Sequence, residues 1–137
     1  MHKANAVIIM CIDFRFQRQT QKWLETNGYI GTSDEIVITG GSRDLVKPIA
    51  EFHKESLLRQ IELSMRLHAP DRIVIIDHQD CGGYAQDGTI PGRLLIEEDK
   101  NYHAKWAENA KDILTQLYPG KEIGLYYATL DGSISEY

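Results

Sequence analysis

The sequence predicts an α/β protein: a central, mostly parallel β-sheet of about four strands flanked by helices, with a short edge strand near the C-terminal end. Three observations lead there. Apolar, largely β-branched runs recur at Ala6–Cys11, Glu35–Thr39 and Arg72–Asp77, and strands covered on both faces read this way, whereas half-exposed strands alternate. Between those runs lie segments whose apolar residues fall three and four positions apart, the spacing of a helix face. Strands that alternate with helices are joined by crossovers, which makes the sheet parallel. The 137 residues suit one compact core, so 1–137 is read as a single domain.

Each element has its own local reason. Ala6–Cys11 is the first strand. Phe16, Thr20, Trp23 and Leu24 mark a short helix that Asn27-Gly28 stops. Glu35–Thr39 reads as a second buried strand, closed by Gly40-Gly41, where the chain must turn sharply. From Arg43 to His68, Leu45, Ile49, Phe52, Leu57, Leu58, Ile61 and Met65 predict a long helix, broken near His53 and ending before Ala69-Pro70. Arg72–Asp77 is the third strand, with His78 directly after it. Tyr102, Trp106, Ala110, Ile113, Leu114 and Leu117 form one helical stripe that Pro119-Gly120 ends. Ile123–Leu130 then reads as a strand, and Asp131-Gly132 as a hairpin turn into an edge at Ser133–Tyr137.

In such sheets reactive groups gather beyond the carboxyl ends of the strands. Cys11 ends the first strand, Gly40-Gly41 the second and His78–Cys81 the third. The chain has only two cysteines, and both stand there. His78 and Cys81 are three positions apart, and Cys11 can add a second thiolate. Two cysteines and a histidine bind zinc and leave the tetrahedron one ligand short, the mark of a site that holds water. Cys11, Asp13 and Arg15 alternate, so in extended chain they share one side. Asp13 is then placed to accept a hydrogen bond from metal-bound water or to take the fourth position itself. Arg15 can orient Asp13 through a charge-assisted pair and keep it ionised. Gly40, Gly41 and Gly82 are read as wall of the substrate pocket.

These residues resemble a known family. Cys11-Ile-Asp13-Phe-Arg15 followed by His78-Gln-Asp-Cys81-Gly82-Gly83 is similar to the paired signature of the β-class carbonic anhydrases, Cys-x-Asp-x-Arg and His-x-x-Cys-Gly. The resemblance runs from the first strand to the last. It implies that Cys11, His78 and Cys81 are zinc ligands and that Asp13 and Arg15 form a catalytic dyad. The implied reaction is reversible hydration of CO2 to bicarbonate by zinc-bound hydroxide, and the implied assembly a homodimer or higher homo-oligomer with active sites near a subunit interface. The chain departs from the family at three points. The given sequence begins almost at the first strand, where family members commonly carry a helical arm, so an arm-less member is expected. Its second strand ends in Ile38-Thr-Gly-Gly-Ser42 in place of Arg-Asn-Ala-Gly, and Asp77 stands where a glycine often precedes the motif histidine. Two rivals follow: hydrolysis of a linear CO2 analogue, carbonyl sulfide or carbon disulfide, on the same metal, and a non-catalytic relative whose zinc, closed by Asp13, serves structure or binding. A thiolate-rich site also accepts cobalt or iron.

Composition narrows the partners. A net charge of −5, with the 15 Lys and Arg scattered, argues against nucleic acid, which needs a clustered basic face. No apolar run approaches the roughly 20 residues of a membrane span, and no leader pattern precedes the first strand, so a cytoplasmic protein is expected. His2, His53, His68 and His103 lack partners at ligand spacing and are assigned to the surface or helix ends. Glu97-Glu-Asp99 reads as a solvated acidic turn, while Asp77 and Asp80, beside the ligands, are candidate outer-shell acceptors. Tyr102 and Trp106 are assigned to core or subunit contact.

Overall fold

The structure, a computed structural model, describes residues 2–137. Five strands form one sheet in the order β2-β1-β3-β4-β5. They are β1 (Ala6–Met10), β2 (Ser33–Val37), β3 (Arg72–His78), β4 (Glu122–Ala128) and β5 (Ile134–Glu136). The first four are parallel neighbours, and β5 folds back antiparallel on β4. The helices are α1 (Gln17–Thr26), α2 (Arg43–Val46), α3 (Glu51–His68), α4 (Gly82–Ala85) and α5 (Ile96–Leu117), with a 3-10 turn at Phe14–Phe16. Fold class, strand alternation and antiparallel edge agree with the sequence reading.

Alternate residues of the central strands enter two cores. Val7, Ile9, Ile73 and Ile75 pack with Leu45, Leu57, Ile61, Ala110 and Leu114 of α2, α3 and α5. Ala6, Ile8, Met10, Val74 and Ile76 pack on the other face with Phe16 and with Leu24 of α1. Full burial of a Val or Ile side chain contributes roughly 1.5–3 kcal/mol. Continuous β-branched sequence is therefore best used in β1 and β3, which have a strand on each side and helices on both faces.

Three expectations need correction, and one short helix had not been foreseen. β2 begins at Ser33 and ends at Val37, and it is a sheet edge in which Val37 is 51% exposed; with one strand neighbour it cannot be buried as β1 is. The Arg43–His68 segment breaks at 47–50, not near His53, because Pro48 has no amide hydrogen and restricts the residue before it. The last helix starts at Ile96, six residues before Tyr102, its first turn carrying Glu97, Glu98 and Asp99, which favour a helix N-terminus. The short α4 directly after Cys81 had no periodic signal to reveal it.

Candidate metal centre

The parallel register puts the carboxyl ends of β1 and β3 side by side, with Met10 opposite Ile76. Cys11 therefore emerges next to the last residues of β3, and the turn after His78 brings Cys81 back beside both. The donor atoms of Cys11, His78 and Cys81 all lie within 4.8 Å of one another, and a small buried cluster of Cys81, Tyr84 and Ile90, flanked by Leu94 and Trp106, backs the site.

The donor set fits a metal ion. His78 is buried, and its Nδ1 lies 2.8 Å from the Gln79 carbonyl. A carbonyl only accepts, so Nδ1 carries a proton, and the lone pair of the neutral imidazole is on Nε2. That Nε2 is buried without any hydrogen-bond partner. A pinned Nδ1–H and an orphaned Nε2 are what a metal-ligating histidine needs. The Phe16 ring, with centroids 4.3 Å apart, packs against the imidazole and fixes its plane. The Gly40 amide donates to the Cys11 sulfur at 3.3 Å.

Without a metal, the close thiols divide one charge. The hydrogen bond from Cys81 and the adjacent imidazole hold Cys11 well below the usual thiol range, while the Cys11 thiolate and burial push Cys81 up. Burial opposes the His78 imidazolium, but the neighbouring Cys11 thiolate outweighs it and raises the group. A divalent cation would relieve this arrangement by letting both sulfurs ionise.

Asp13 stands outside the three-donor cluster. Its Oδ1 accepts from the Arg15 amide at 3.0 Å and from Arg15 Nε at 3.1 Å, and its Oδ2 accepts from Arg15 Nη2 at 2.7 Å. Oδ2 lies 3.9 Å from His78 Nε2. The Arg15 hydrogen bonds hold the Asp13 carboxyl below its ordinary range. Arg15 also donates to the Asp80 carboxylate at 3.2 Å and to the Asp80 carbonyl at 2.9 Å. Asp80, between the ligands His78 and Cys81, has φ +56°, an uncommon left-handed conformation for a residue with a side chain. Besides Arg15 it is held by the Arg93 amide on Oδ1 at 2.9 Å and by Asp99, which accepts the Asp80 amide at 3.3 Å.

The three glycines have separate fates. Gly40 touches the Cys11 sulfur, and Gly41 lies behind the Cys11 amide, where a methyl would make ordinary contact at 3.5 Å but the φ of +57° suits glycine. Gly82 is exposed with nothing near it. A groove beside Cys11 and Asp13 is lined by Ile12, Phe14, Thr20 and Val37, so the exposed apolar residues at this strand end flank the candidate centre.

Two assignments made from sequence are overturned behind the site. Asp99 and His103 are each 1% exposed, not a solvated turn and a surface histidine. They are one helical turn apart on the inner face of α5, where the Tyr127 hydroxyl donates to Asp99 and the Tyr84 ring packs edge-on against His103. The i, i+4 spacing carried the signal, but Asp99 looked polar enough to mask it. His68 does sit at a helix end, with Nδ1 2.7 Å from Asp34. Asp77 is buried and accepts from the Tyr137 hydroxyl, and burial pushes it up to about 7.

Burial, reinforced by charge at His78, pushes the His103 imidazole down to about 3, and neither ring nitrogen has a hydrogen-bond partner. The unfolded chain binds that proton near pH 6.5 and the folded protein does not, so stability falls as pH drops through this window. Between pH 7 and pH 5 the wild type is expected to lose about 2 kcal/mol more than His103→Phe in urea unfolding. Parallel pH dependences for the two proteins would refute the burial argument.

Residues 1–135 match the family described as "Putative carbonic anhydrase". The chain belongs to this carbonic anhydrase family. Among curated relatives, an uncharacterized protein of Rickettsia conorii is 25% identical over 139 residues, covering 99% of this chain and 73% of that protein. One of Rickettsia bellii is 24% identical over 136 residues, covering 99% and 83%. Tetrameric β-carbonic anhydrases of the filamentous ascomycete Sordaria macrospora superpose with a TM-score of 0.66 at 13% identity, over 99% of this chain and 81% of theirs. A β-carbonic anhydrase isoform of Trichomonas vaginalis gives a TM-score of 0.60 at 15% identity, over 98% and 82%. At such identities the structural likeness establishes the carbonic anhydrase-like fold.

Proposed function

We propose that this family member is one zinc domain that catalyses the reversible hydration of CO2 to bicarbonate, with Cys11, His78 and Cys81 holding the metal and Asp13 and Arg15 acting beside it. The observation that carries the reading is the orphaned, buried His78 Nε2 facing two sulfurs. Zinc bound by these three residues supplies a Lewis acid that acidifies water near neutral pH. Asp13, ionised and held on two edges by Arg15, is oriented to accept a proton or hydrogen bond from a water molecule in front of the cluster. Arg15 divides its donors between Asp13 and Asp80, so it positions Asp13 and ties it to the turn that carries two of the three donors. With Asp13 occupied by Arg15, the three-donor set keeps a position open for substrate. The apolar side chains of Ile12 and Phe14 around the groove suit a small linear molecule. Carbonyl sulfide and carbon disulfide meet the same description, and hydrogen sulfide release would reveal them. Stopped-flow hydration of CO2 above pH 7 is the test. Fast turnover by zinc-loaded protein that vanishes in Cys11→Ala is expected, and no turnover from a fully loaded sample would refute the reading.

The protein is further proposed to be a homo-oligomer. Support comes from the tetrameric Sordaria macrospora enzymes and from the exposed Ile12, Phe14 and Val37 next to the open edge of β2. Light scattering at micromolar concentration should give a dimer or larger species; a monomer would contradict the proposal. No described helix is long and apolar enough to cross a membrane, and a cytoplasmic location is proposed on composition alone.

A further inference from the structure

Arg43 is among the largest fully buried side chains, 1% exposed, at the start of α2 and outside both sequence motifs. A buried guanidinium is costly unless its donors are matched, and here they are. Nε donates to the Lys47 carbonyl at 3.0 Å, Nη1 to the Gly83 carbonyl, and Nη2 to the Asp87 carboxylate at 2.5 Å. The guanidinium also lies 5.7 Å from the centre of the Tyr84 ring.

These partners belong to two different loops. Lys47 and Arg43 continue the turn that begins at Gly40, whose amide donates to the Cys11 sulfur. Gly83, Tyr84 and Asp87 continue the turn that begins at Cys81. The loops meet backbone to backbone: a methyl at Gly83 would sit 2.8 Å from the Gly40 amide nitrogen and Cα, and one at Gly40 would sit 2.8 Å from Arg43 Cβ. The glycines permit this approach but supply no force that maintains it. Arg43 is the charged fork that joins the Gly40 turn to the Cys81 loop.

We infer that Arg43 is a positioning residue for the metal centre: by clamping the Cys81 loop onto the Gly40 turn, it keeps the two thiolates at the separation that one metal ion needs. The inference rests on the reading of Cys11, His78 and Cys81 as metal ligands. Lysine in its place offers a single point charge and cannot serve three acceptors set around a planar fork.

Cobalt(II) titration of the metal-free protein tests it, because thiolate-to-cobalt charge-transfer absorption reports both affinity and sulfur geometry without reference to activity. Arg43→Lys is expected to weaken cobalt binding about tenfold or more, the range found for residues that support ligands, and to alter the charge-transfer band. Asp87→Asn, at a partly exposed position that should not endanger folding, is expected to weaken binding several-fold. A merely structural role would lower the melting temperature of the metal-free protein while leaving the cobalt dissociation constant and spectrum of folded molecules unchanged. Wild-type affinity and spectrum in Arg43→Lys, or in Asp87→Asn should the lysine variant not fold, would overturn the inference. Absence of a thiolate-to-cobalt band in the wild type would instead overturn the ligand assignment beneath it.

Discussion

Asp13→Asn, loaded with zinc to the same content as the wild type, is expected to lose CO2 hydration by about 100-fold or more, the scale on which a positioned proton-accepting or charge-stabilising group acts. The substitution is nearly isosteric, and Asp13 is not among the three clustered donors, so metal content should hold. What changes is the match to Arg15. Both Asp13 oxygens accept from Arg15, and an amide must turn its NH2 toward one set of donors. The side chain then rotates or loses a bond, and the negative charge facing the water position disappears. Metal analysis and stopped-flow turnover on one preparation separate the effects. Undiminished turnover at equal zinc would remove Asp13 from the mechanism, whereas parallel loss of zinc and turnover would reassign it as a ligand.

The second large effect is expected from Cys81→Ser. The replacement keeps size and shape at a site 5% exposed, so the fold should persist, but a neutral hydroxyl replaces a thiolate. Zinc affinity is expected to fall by more than about 100-fold, beyond the loss seen when only a supporting residue is changed. Competition with a chromophoric chelator would measure it. Affinity within a few-fold of the wild type would mean that Cys81 is a buried thiol and not a ligand.

The contrast between these residues and those behind them shows where sequence reasoning works. Cys11, His78 and Cys81 were legible because rare residue types stood at strand ends, and strand ends in a parallel sheet converge for a geometric reason that needs no side-chain detail. Asp13 and Arg15 were legible as a pair through their spacing, although the chain between them forms a 3-10 turn, not extended backbone. Arg43, Asp99 and His103 were not legible. Each is a polar residue that a sequence reading assigns to solvent, and each is 1% exposed because its partners come from other segments: Gly83 and Asp87 for Arg43, Tyr127 for Asp99, Tyr84 for His103.

By itself, then, the sequence determined what depends on short-range periodicity: apolar runs too continuous for a half-exposed strand, helical stripes between them, and therefore a parallel α/β sheet with its reactive residues on one edge. Tertiary structure alone decided which strand is an edge, as β2 is, which donors come within 4.8 Å of one another, and which charged groups are taken out of water. The physical reason is that burial of a polar group depends on acceptors and donors far away in the chain, and their arrival is set by how whole elements pack, not by the residues next to the group itself.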